Sequence, residues 1–62
     1  MSAVDVMERK IVREVNKQHK VNYKIRDLME WCTDEATVKK NLVGDEIMLK
    51  CDFYGCWCAF KK

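Results

Sequence analysis

Apolar and polar side chains alternate through the last sixteen positions of the chain, residues 47–62. Ile47, Leu49, Cys51 and Phe53 alternate with Met48, Lys50, Asp52 and Tyr54. After Gly55, Cys56, Cys58 and Phe60 alternate with Trp57, Ala59 and Lys61. A period of two is strand periodicity, so residues 47–53 and 56–61 are expected to form a β-hairpin. A two-residue Tyr54-Gly55 turn would set Phe53 against Cys56, Cys51 against Cys58 and Leu49 against Phe60, with every strong inward candidate on one face. The competing loop, Phe53-Tyr54-Gly55 with Gly55 in the left-handed bulge position, would face Cys51 with Trp57 and expose Cys56, Cys58 and Phe60. The first register is preferred because it buries more apolar side chains.

Upstream the period changes to that of helices. Val4, Met7, Ile11 and Val15 follow three-and-four spacing and predict a helix over 4–19, with Ser2 as its N-cap and Asp5 favourable in the first turn. Arg9, Lys10, Arg13, Lys17 and Lys20 fall together on the opposite side at about 100° per residue. Ile25, Leu28, Met29 and Cys32 stand at i, i+3, i+4 and i+7, predicting a second helix over 23–32 with Trp31 at its flank. Thr33 then offers a cap, Asp34 and Glu35 suit a helix N-terminus, and Val38 and Leu42 mark the buried side of a third helix over 34–42. Gly44 stands where a helix C-terminus takes a left-handed residue.

Three helices followed by a ribbon make a small α+β domain whose order and length resemble a winged helix-turn-helix. The resemblance implies that 23–42 is the helix-turn-helix, that the link around Val21 is a small first strand and that 47–62 is the wing. Thr37, Lys39 and Lys40 would then face a DNA groove, with Lys50, Lys61 and Trp57 on the wing. Asp34 and Glu35 argue against this, because they would repel phosphates at the head of the recognition helix. The strongest basic stripe also lies elsewhere, on helix one.

Composition narrows the class. The chain has 62 residues, 48% of them hydrophobic, and a net charge of +2. It is one domain with a thin core and too little net charge to mark a nucleic-acid binder alone. With no membrane-length apolar run and no secretory leader, the expectation is a soluble intracellular protein, cytoplasmic or nuclear. The charge is uneven. Residues 9–26 hold seven positive side chains against Glu14, whereas 27–46 hold six acidic ones against Lys39 and Lys40. Opposite fields at two ends of the molecule follow.

Cys32, Cys51, Cys56 and Cys58 lack the C-x2-C knuckles of common zinc sites. Packed thiols are the first reading. A zinc site using all four is an alternative, and a Cys51–Cys58 disulfide a third, disfavoured in a reducing compartment. No other cofactor is suggested. Enzyme chemistry finds no support: His19, the only histidine, sits in a lysine-rich helix end, no nucleophile has a partner at readable spacing, and no glycine-rich phosphate loop exists. Two non-catalytic functions remain. One is a DNA-binding regulator of transcription on double-stranded DNA, for which a homodimer would offset the few contacts a single module makes. The other is a protein-binding adaptor or inhibitor. It would present Arg9, Lys10, Arg13, Lys17 and Lys20, or the Tyr54 and Trp57 side of the hairpin, to an acidic protein.

Overall fold

The computed structural model describes residues 3–61 and contains two helices and a three-stranded antiparallel sheet. In chain order these are α1 (Ala3–His19), a 3-10 turn (Ile25–Asp27), β1 (Leu28–Cys32), α2 (Glu35–Asn41), β2 (Ile47–Cys51) and β3 (Cys56–Phe60). The last strand is the middle one: the sheet order is β1-β3-β2. The expected cap Ser2 lies outside the described residues.

α1 forms as its spacing predicts, with Ile11 and Val15 fully buried and Val12 nearly so. Val4, assigned to the same face, is 56% exposed. The helix closes on Lys20, which takes a left-handed φ of 56°, and the Val21 N–H returns to the Asn16 carbonyl at 3.2 Å. That is a Schellman closure with lysine where glycine is usual.

The three-helix winged architecture is not what forms. Residues 28–32 are a strand, so no second helix precedes α2 and there is no helix-turn-helix; nor does a strand form around Val21. The helix-like spacing of this segment comes from a β-bulge. Leu28 pairs with Phe60 and Glu30 with Ala59, which leaves Met29 as the extra residue. A bulge lets two residues three apart project to the same face. Leu28 and Trp31 therefore both pack against the α1 core, and the strand reads in sequence as helical spacing. Met29, placed on the buried stripe by that spacing, is 54% exposed.

The hairpin takes neither expected register. Cys51 faces Cys56, Leu49 faces Cys58 and Ile47 faces Phe60, closed by a four-residue loop with Gly55 at φ 65°. Relative to the preferred register the pairing slips by two residues. A slip of two preserves the faces, so Leu49, Cys51, Cys56, Cys58 and Phe60 still pack together under α1. Phe53 is what the slip expels; it stands in the loop, 71% exposed, edge-on to Tyr54.

Ala59 and Trp57 point to the other side of β3, where α2 packs across β1 and β3. The fully buried Val38 and Ala59 form a second small layer outside the α1 cluster. α2 is shorter than expected and starts after Asp34 rather than Thr33. It ends at Asn41, so Gly44 is not its terminator and has no left-handed φ.

Candidate binding face

The basic side of α1 is assembled by the segment that follows it. The Asn16 side chain donates to the Tyr23 carbonyl at 2.9 Å and accepts from the Tyr23 N–H at 2.8 Å. This fixes the return of the chain beside the helix. Tyr23 then lays its ring on Phe60, 4.3 Å between centroids and 8° from parallel. Lys24 and Ile25 follow, with the Lys24 N–H held by the Asp27 carboxylate at 2.8 Å. The outcome is a shallow groove lined by Arg9, Val12, Arg13, Asn16, Tyr23, Lys24 and Ile25. A second depression, formed by Val6, Arg9, Lys10 and Arg13, shares its two arginines.

Lys10 and Lys17 are exposed along the same helix, as their spacing predicts, and Lys20 is exposed just past its end. Sequence reasoning did not join Lys24 and Ile25 to this surface. Their contribution depends on the turn at Lys20, which folds residues 23–25 back against α1. The signal available was the continued run of positive charge to Arg26. Val6 and Ile25 are 39% and 41% exposed, so the cationic surface has apolar patches within it.

Of the residues expected to read DNA, Lys50 and Trp57 meet on the hairpin, while Thr37 and Lys39 are held locally by Asp34 and Glu35. On α2, the Thr37 hydroxyl donates to the Asp34 carboxylate at 2.6 Å, and this bond holds the Asp34 carboxyl below its ordinary pKa. Lys39 pairs with Glu35 at 3.1 Å, while Lys40 is exposed. Lys50 stands over the Trp57 ring, 5.8 Å from its centroid. Lys61 is exposed at the far end of β3, its backbone N–H bonded to the Asp27 carbonyl. Tyr54 is half-buried against the α1 core. With the helix-turn-helix gone, α2 has no partner helix to present it to a groove.

The cysteines divide between the two faces of the sheet. Cys32 pairs with Trp57, on the α2 side, whereas Cys51, Cys56 and Cys58 lie in the α1 core. Four thiols on opposite faces cannot share one zinc ion. Among the described residues no group of three or more His, Cys, Asp or Glu side chains is arranged to hold a metal. All four cysteines are free, and Leu49, rather than Cys51, stands across from Cys58. Burial pushes the Cys58 thiol far up, reinforced by the neighbouring Cys56, whose sulfur is 3.9 Å away. Burial raises Cys56 as well. Both are poor nucleophiles, since the thiolate is the reactive form. His19 has Nε2 at 2.8 Å from the Lys50 carbonyl oxygen, a structural contact.

Among the described residues no helix is long and apolar enough to cross a membrane. No protein-family model, curated protein or solved structure matches the chain.

Proposed function

We propose that this chain is a non-catalytic protein-binding module, an adaptor or inhibitor, that docks an acidic partner segment on α1. The observation carrying the reading is the convergence of Arg9, Arg13 and Lys24 on one groove whose rim includes the exposed Ile25. A cationic groove with apolar patches suits a segment carrying carboxylates interspersed with aliphatic side chains. The charges steer encounter and fix register, while apolar burial slows dissociation.

Apart from Phe53, which is 71% exposed in the hairpin loop, the aromatic residues offer little to a nucleic acid. Base stacking needs an open ring face. One face of Tyr23 is covered by Phe60, Trp57 lies under Lys50, and the Trp31 indole N–H is committed to Glu8 at 3.2 Å. The α2 cations stand beside Asp34 and Glu35, which weaken their pull on phosphate.

The test is fluorescence anisotropy with two probes over a salt series, random-sequence duplex DNA and a pool of short peptides mixing Glu or Asp with Leu. The reading expects saturable peptide binding and only weak, steeply salt-dependent duplex binding. Tight duplex binding that outlasts peptide binding as salt rises would restore a nucleic-acid role.

A further inference from the structure

The edge of the sheet opposite β1 is self-complementary. β2 has only one neighbour, β3. The Lys50 carbonyl points away from β3, because the Gln18 amide reaches it at 3.1 Å and the His19 ring at 2.8 Å. Backbone direction alternates along an antiparallel strand, so Met48, two residues earlier, turns both its N–H and its C=O to that same open side. The run Glu46-Ile47-Met48-Leu49-Lys50 carries no proline. Unlike β1, its pairing with β3 proceeds without a bulge. Of the usual guards of an edge, the strand has neither a bulge nor a proline; it has Lys50, and Gln18 and His19 cover its Lys50–Asp52 end.

We propose that β2 pairs antiparallel with β2 of a second copy of this chain, about a twofold axis at Met48, to form a six-stranded sheet. In that register Met48 faces its own counterpart, Ile47 faces the second copy's Leu49, and Glu46 faces the second copy's Lys50. Glu46, whose carboxylate accepts from the Gly44 N–H at 2.9 Å, shares with Met48 and Lys50 the face that carries Trp57, so the pairing sets one opposite-charge pair on each side of a methionine pair. Ile47, 37% exposed at the α1-facing edge, gains the aliphatic neighbour that the single sheet does not provide. The hydrogen bonds follow the same parity. Met48 exchanges N–H and C=O with its counterpart, and each Lys50 N–H donates to the second copy's Glu46 carbonyl. Gln18 and His19 already occupy the Lys50 carbonyl and so mark where the new ladder stops. Charge complementarity selects this occupant: the strand presents one acid and one base at equal distances from its centre, and a twofold axis sets each against the other.

Sedimentation velocity over a concentration series, with circular dichroism as the control on folding, tests the proposal on four chains. The unaltered chain is expected to show a reversible monomer–dimer equilibrium. Lys50→Glu, which sets like charges across both ends, is expected to weaken the dimer by about tenfold, and so is Glu46→Lys. The double variant Glu46→Lys/Lys50→Glu reverses the charges and should restore affinity to near the starting value. A chain that stays monomeric at millimolar concentration overturns the proposal, as does a dimer indifferent to the single changes or one the double variant fails to restore. Amide hydrogen exchange on the unaltered chain gives an independent reading. Protection of the Met48 amide must rise with protein concentration, and protection unchanged by concentration overturns the pairing. Neither measurement touches the α1 groove, so failure here leaves the docking of acidic peptides standing, and the converse also holds.

Discussion

Asn16 grips the backbone of Tyr23 from both sides, donating to its carbonyl at 2.9 Å and accepting from its N–H at 2.8 Å. One side chain thereby replaces a stretch of secondary structure between α1 and β1, and it sets the position of Lys24 and Ile25 beside the helix. Asn16→Ala is expected to destabilise the fold by about 1–2 kcal/mol, since it leaves two partly buried backbone groups without partners. Urea denaturation measures this. Asn16→Asp retains the acceptor and loses the donor, so it should fall between the two. The same substitutions should weaken acidic-peptide binding, because the groove loses its second wall.

Lys20 holds a left-handed φ of 56°, a conformation that strains any side chain with a Cβ. Lys20→Gly is expected to stabilise the protein by about 0.5–1 kcal/mol, the relief of strain exceeding glycine's added chain entropy. A rise in the urea midpoint with an unchanged m-value is the expected sign. Destabilisation would mean that the Lys20 side chain contributes more to the fold than its backbone strain removes.

Alkaline pH should unfold this protein through its core. Cys58 and Cys56 have folded-state pKa values raised above 9.0, their ordinary value, chiefly by burial. A group whose pKa is higher folded than unfolded contributes stability that is complete below the unfolded value and is lost as pH rises above it. Stability is therefore expected to hold between neutrality and about pH 9 and to decline above it. Urea midpoints taken across that range check the decline, and Cys58→Val should flatten it. If the valine variant falls as steeply as the parent, the thiol is not the cause.

The sequence made the faces of this fold easier to read than its pairings. Alternation at Leu49, Cys51, Cys56, Cys58 and Phe60 identified the side of the hairpin that packs under α1, and a two-residue slip left that assignment intact. The slip itself depended on the turn, where the sequence admits two- and three-residue loops and a four-residue loop forms. β1 was hidden more deeply. Its bulge at Met29 spaced Leu28 and Trp31 as a helix would space them, and its pairing partner β3 lies at the far end of the chain. Local period carries no information about a partner so distant. For the binding face, the stripe from Arg9 to Lys20 was legible from helical spacing alone. Lys24 and Ile25 joined it only through the turn at Lys20 and the Asn16 clamp, neither of which has a periodic signature.

Binding of the acidic Glu/Asp–Leu peptide pool to two charge-reversed proteins tests the docking face most directly. One carries Arg9→Glu and Arg13→Glu, the other Lys39→Glu and Lys40→Glu, so the two change net charge equally. A site on α1 predicts that the first loses affinity by at least about tenfold, while the second shows only the small, salt-screened loss of a distant charge. Equal losses would reduce the interaction to net charge, and a larger loss from Lys39 and Lys40 would contradict the assignment to α1 and move the binding face to α2.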